Sequence, residues 1–122
     1  MNVLIIEPDK SLRDSLCCLM EGLRAQVFAT RTAREIAPIL DAAHFDLVLC
    51  ADRLPDMGGL ALLKEVMARH PQATAILMAV QGEEERETEA RVAGVHGYLR
   101  KPFDLRALEK AMGRGVPNLG SP

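Results

Sequence analysis

Five short apolar runs, each closed by polar or turn-forming residues, constrain this chain more than any other feature. They are Val3–Ile6, Ala25–Ala29, Asp46–Ala51, Ala75–Val80 and Tyr98–Leu99. Each reads as a strand, with Val3–Ile6 buried on both faces and Ala75–Val80 also buried. Between them, apolar residues recur at helical spacing. Leu12, Leu16, Leu19, Met20 and Leu23 form one stripe, with Arg13, Asp14 and Glu21 opposite and Gly22 near the helix end. Thr32-Ala-Arg-Glu35 has the pattern of a capping box before Ile36, Ile39 and Leu40, with Pro38 expected to kink that helix. A third helix carries Leu60, Leu63, Val66 and Met67 and ends near Arg69-His70-Pro71. An acidic helix spans Glu83 to Val92. The last carries Leu105, Leu108 and Met112, with Asp104 as its N-cap. Parallel neighbours need a crossover, and a helix after each strand supplies it. The chain is therefore expected to form a doubly wound (βα)5 α/β domain over 1–112, with a five-stranded parallel sheet in the order 2-1-3-4-5. The least apolar run, Ala25–Ala29, falls at an edge. Residues 113–122, rich in Gly and Pro, are expected to form a flexible tail. In this strand order the winding reverses between the first and third strands, so ligand chemistry belongs beyond their carboxyl ends. That directs attention to Glu7, Pro8, Asp9, Ala51, Asp52, Ala79 and Lys101.

Composition narrows the classes of function. The 122 residues carry 15 basic and 17 acidic side chains, a formal charge of −2, which provides no net basic field for nucleic acid. No apolar stretch is long enough to span a bilayer, and the N-terminus lacks the basic region of a signal peptide, so a cytoplasmic protein is expected. Cys17, Cys18 and Cys50 match neither a disulfide framework nor a metal spacing, and read mainly as packing residues, with redox sensing at Cys17 or Cys18 a minor alternative. His44, His70 and His96 have no ligand spacing. There is no glycine-rich phosphate loop for a nucleotide. Arg13, Arg24, Arg31 and Arg34 gather around the first two helices and read first as a solvated face, with an anionic ligand or partner as the alternative.

Four stretches then carry a resemblance. They are Val3-Leu-Ile-Ile-Glu7, Phe45-Asp-Leu-Val-Leu49, Arg53-Leu-Pro-Asp-Met-Gly-Gly-Leu60 and Ala93-Gly-Val-His-Gly-Tyr-Leu-Arg-Lys-Pro-Phe103. From Val3 to about Met112 the chain resembles a receiver domain of a two-component response regulator, which implies a flavodoxin-like fold and a cis peptide between Lys101 and Pro102. In that family an aspartate at the tip of the third strand takes the phosphoryl group, two acidic residues after the first strand help to hold Mg2+, a hydroxyl follows the fourth strand and a lysine the fifth. Residue by residue, the resemblance puts Glu7 and Pro8 at the acidic pair, Ala51 at the phosphoacceptor, Ala79 at the hydroxyl, and Tyr98, Lys101 and Pro102 at the switch.

The resemblance thus implies a pseudo-receiver that works by protein–protein interaction and needs no cofactor. A protein partner, either a histidine kinase or another regulator, or a second copy in a homodimer, is expected, with no nucleic acid and no membrane. No enzymatic activity is expected. No further domain follows Met112 in this sequence, so its signal is expected to leave by contact. The expected contact surface is Glu84, Glu87, Arg91, Tyr98 and Arg106; the glutamates of the acidic helix read equally well as a solvated face whose first turn complements the helix dipole. Two alternatives stay open. Asp52 is the fallback phosphoacceptor with Mg2+, and Glu7 and Asp9 are weak metal candidates. Strand alternation aims Asp52 away from the face of Ala51 unless a bulge intervenes, and Asp9 reads more simply as a helix cap. The other alternative is a small-anion sensor at the vacated rim, held by Lys101. Lys101 reads first as a solvated lysine or one paired with Glu7, Asp56 as a turn residue, and Ala79 leaves room for the Tyr98 ring to stay inward.

Overall fold

The structure is a computed structural model that describes residues 1–80 and 84–113. Strands β1 (Asn2–Ile6), β2 (Gln26–Thr30), β3 (Leu47–Ala51), β4 (Thr74–Val80) and β5 (Gly97–Lys101) alternate with helices α1 (Lys10–Gly22), α2 (Ala37–Ala42), α3 (Gly59–Arg69), α4 (Glu84–Val92) and α5 (Leu105–Met112). The sheet is parallel throughout and runs β2-β1-β3-β4-β5, which is the expected order. Its burial explains the sequence. All five residues of β3 are buried, whereas edge strand β2 is only partly covered. Alternate residues feed two cores. Leu4, Ile6, Val48, Cys50, Ala75 and Leu77 face α2, α3 and α4, whereas Val3, Ile5, Leu47, Leu49, Ile76 and Met78 face α1 and α5. The central strands give both cores aliphatic side chains, so each reads as a continuous apolar run.

The helix ends follow local chemistry with two exceptions. Asp9 caps α1 by accepting from the N–H groups of Ser11 (2.9 Å) and Leu12 (3.4 Å), and Asp104 caps α5 through Ala107 N–H at 2.8 Å. After α1 the left-handed residue is Arg24 (φ 64°), while Gly22 ends the helix. The second exception is α2. Thr32 makes no capping bond to its first turn; Arg34–Ile36 form a 3-10 turn, and α2 proper begins at Ala37. Pro38 therefore sits in the first turn of α2, where its missing N–H is no loss, and the expected kink does not arise. Of the capping box only the Glu35 carboxylate is used, accepting from Arg31 N–H at 3.3 Å.

The cap comes instead from another loop. Asp56, read from sequence as a turn residue, accepts from the N–H groups of Ala33 (3.0 Å) and Arg34 (2.9 Å) and ties the β3–α3 loop to the start of α2. These bonds, that from Ala33 foremost, hold its carboxyl below the usual aspartate value of 3.8. A carboxyl lowered in the folded state contributes stability that is present above its unfolded pKa and lost as pH falls through its folded one. Asp56→Ala is expected to lower Tm at neutral pH, with the gap to the parent closing as pH drops below about 4. Thermal melts of both proteins across pH 2 to 7, on the order of one unit apart, check this.

Candidate functional site

The carboxyl ends of the strands meet at one rim of the sheet. Glu7, the residue after β1, continues the ladder by donating its N–H to the Thr30 carbonyl at 3.0 Å, and is only 1% exposed. One of its carboxylate oxygens accepts from Asp9 N–H at 3.0 Å; the other lies 2.6 Å from the Lys101 ammonium. Arg13 closes the same loop from α1 by donating to the carbonyls of Glu7 (2.8 Å) and Pro8 (3.2 Å).

Lys101 ends β5, so β4 and β3 lie between it and β1. Three strand spacings are about 14 Å, which two long side chains cross only where nothing tall stands at the intervening tips. Next to Glu7 in the register, the tip of β3 carries only the methyl group of Ala51, 1% exposed. The Lys101–Pro102 peptide is cis, as the resemblance implied. The loop after β3 folds back tightly on Ala51: Gly59 donates its N–H to the Asp52 carbonyl at 2.7 Å, and a Cβ at Gly59 would stand 1.9 Å from the Ala51 carbonyl oxygen. Only glycine allows that approach.

Asp52 does not share this rim chemistry. Its N–H donates to the Met78 carbonyl at 2.7 Å, so the β3–β4 ladder continues without a bulge. Alternation then sends its carboxylate to the α3/α4 side, where it is buried and lies 3.2 Å from Arg86 Nε. The pair borders a cavity of about 570 Å³ between α3 and α4, lined also by Leu54, Met57, Leu60 and Lys64.

The weak metal candidates have other contacts in this structure. Glu7 is engaged by Lys101, Asp9 caps α1, and Pro8 and Ala51 offer no side-chain oxygen. Among the described residues no three His, Cys, Asp or Glu side chains are grouped to hold a metal ion. Cys50 is buried and burial pushes its thiol pKa far up; Cys17, half-buried, is raised for the same reason, which suppresses thiolate chemistry at both. His70 is buried with its ring nitrogen 3.1 Å from the Leu40 carbonyl, and His96 Nδ1 accepts from Ala75 N–H at 3.0 Å.

The expected contact surface is described except for the Glu84 side chain, which lies outside the described residues. The negative field read from the acidic helix is largely neutralised on the part that is described. Glu87 pairs with Arg100 of β5 at 2.7 Å and with Arg91 at 3.4 Å, and Glu89 pairs with Arg86 at 3.0 Å. Tyr98 is half-buried against the core on the α3/α4 side, and Arg106 is exposed on α5.

Residues 3–113 match the family described as the response regulator receiver domain. The chain belongs to that family. The response regulator protein FleR of Pseudomonas aeruginosa is 34% identical to this receiver domain over 106 residues, 87% of the chain and 22% of FleR. The DNA-binding transcriptional regulator NtrC of Klebsiella pneumoniae is 32% identical over 101 residues, 83% of the chain and 22% of NtrC. The receiver domain spans only 22% to 27% of the length of the curated relatives that it matches most strongly. Among solved structures, a CheY-like receiver domain protein from Methanospirillum hungatei superposes with a TM-score of 0.83 at 27% identity, covering 92% of this chain and 90% of that one. The signal receiver domain of an HD domain-containing protein from Pseudomonas fluorescens gives 0.84 at 26% identity, covering 93% and 92%. No helix among the described residues is long and apolar enough to cross a membrane.

One site residue escaped the sequence reading. Arg86 lies in the first turn of α4, where the helix dipole disfavours a cation. The misfit of a cation in that turn is the only trace in sequence of its partners, Glu89 on the same helix and Asp52 past β3.

The Glu7–Lys101 pair yields a stability prediction. Lys101→Met leaves the buried Glu7 carboxylate without its cation and is expected to cost about 2–4 kcal/mol at neutral pH. The double variant Glu7→Gln/Lys101→Met removes both charges and is expected to be more stable than Lys101→Met alone. Urea unfolding of the parent, both single variants and the double closes the cycle.

Proposed function

We propose that this receiver domain signals without accepting a phosphoryl group, presenting a constant surface to a protein partner in a two-component pathway. The observation that carries the reading is the Glu7–Lys101 ion pair at a rim where Ala51 stands at the tip of β3. Aspartyl phosphorylation needs a carboxylate nucleophile at the strand tip and a divalent cation to offset charge on the transferring group. A methyl group stands at the tip, and the lysine that would meet the phosphoryl oxygens is neutralised by Glu7. The charge balance of an occupied site is thereby built into the chain.

Asp52 is a poor substitute. Its carboxylate is buried, points to the other side of the sheet and is paired with Arg86. The small-anion reading also loses its main support, because Lys101, its proposed cation, is held by Glu7. A histidine kinase, another regulator or a second copy of the chain are the partners that fit a receiver domain of this kind, and a cytoplasmic location fits them.

Intact mass after incubation with acetyl phosphate and Mg2+, beside Asp52→Asn, tests the proposal. No phosphoryl adduct is expected on either protein. An adduct on the parent that disappears in Asp52→Asn would replace this reading with a shifted but working phosphoacceptor.

A further inference from the structure

The apolar attachment of α4 to the body of the protein is thin. Among its described side chains only Ala90 is buried; Glu85, Thr88, Glu89 and Arg91 are exposed, and Val92 is 84% exposed. Burying one alanine is far less than the leucines and valine that seat α3. The end of α4 is tied by backbone bonds, Val95 N–H to the Ala90 carbonyl at 3.0 Å and His96 N–H to the Ala75 carbonyl at 2.9 Å. Its beginning needs another anchor.

Among the described residues, two ion pairs link α4 to the sheet. Glu87 reaches Arg100 on β5, an exposed pair of the kind that contributes little. Arg86 reaches Asp52 just past β3. The Asp52 side chain is 5% exposed and the Arg86 Nε atom is itself buried. A buried carboxylate cannot be left without a cation at small cost, so this pair fixes where the helix starts far more firmly than the exposed one. Arg86 is also held from its own helix by Glu89, which orients the guanidinium toward the sheet.

We propose that Asp52 and Arg86 form a latch that positions the first turns of α4 against the tip of β3, so that Asp52 serves as a positioning residue for this helix. The latch deepens the phosphorylation-independent reading by giving the one carboxylate next to the Ala51 position a different task. It sets the placement of Glu87, and through Glu87 that of Arg100, from a strand tip that carries no phosphoryl group.

Hydrogen exchange of the full chain, read by mass spectrometry on peptides from α4, β1 and β3, tests the latch in the parent, Asp52→Asn, Arg86→Gln and the double variant. Each single variant is expected to speed exchange in α4 by roughly tenfold while β1 and β3 keep their protection, as local opening requires. The double variant is expected to match the singles rather than multiply them, because either change alone already breaks the pair. Unchanged α4 protection, additive effects in the double, or loss of protection spread equally over α4 and the central strands would each overturn the latch. The readout does not depend on phosphorylation, so an adduct on Asp52 in the mass experiment would defeat the functional reading and leave this test standing on its own result.

Discussion

A carboxylate at the end of a central parallel strand has nowhere to go. Glu7 follows the buried run Val3–Ile6, begins the loop that enters α1 and is almost inaccessible to water. Left ionised and alone in that place it would cost several kcal/mol, on the order of the desolvation penalty for a single ion. The arrangement of the rim answers that cost. Lys101 comes from the far side of the sheet, Asp9 N–H takes the second oxygen, and Arg13 fixes the backbone that carries both. The small tip of β3 is part of the same solution, because a longer side chain at Ala51 would stand beside Glu7 on the face that the lysine crosses. The loop geometry around Gly59 then follows, since the chain after Asp52 must fold back within contact of the Ala51 carbonyl.

The rim thus carries two separate charge pairs on opposite sides of one sheet. Glu7–Lys101 closes the side of α1 and α5, and Asp52–Arg86 closes the side of α3 and α4. Adjacent residues Ala51 and Asp52 belong to different sides because a strand without a bulge alternates strictly, and a one-residue shift changes the face rather than the position. This is why proximity in sequence to the Ala51 position gives Asp52 no share in its chemistry. The two pairs differ in kind as well. The first spans the sheet and joins strands that are already fixed by their ladders. The second joins a strand to a helix with little apolar footing, where a single ionic contact has more leverage over position.

Much of this was legible in the residues. The five runs, their buried character and the strand order followed from apolar patterning, and alternation along β3 correctly separated Asp52 from Ala51. Asp9 and Asp104 were readable as caps because a cap is local, with donor and acceptor two or three residues apart. What escaped was long-range. The start of α2 is capped by Asp56 from more than twenty residues away, so Thr32 and Glu35 satisfied the letter of a capping box without forming one. The partner of Arg86 was invisible for the same reason, although the misfit of a cation in an N-terminal turn left a trace. Pairing of Glu87 with Arg91 and Arg100 likewise offsets part of a helix that looked acidic in sequence.

That offset bears on what a partner of this receiver domain would meet. The paired charges of the described part of α4 cancel locally, which weakens long-range attraction from Glu87 and Glu89. Recognition would then rest on shape and on the shallow groove of about 670 Å³ beside it, where Tyr98, Pro102, Phe103 and Ala107 supply apolar surface and Arg100 and Lys110 the polar edge. A groove of that kind discriminates by fit, and fit is preserved only if the elements lining it hold still. Two ion pairs that need no phosphoryl group keep them still. On the phosphorylation-independent reading the rim and the contact face are linked: Glu7 and Lys101 neutralise each other without a ligand, and the Asp52–Arg86 latch holds α4 beside the groove.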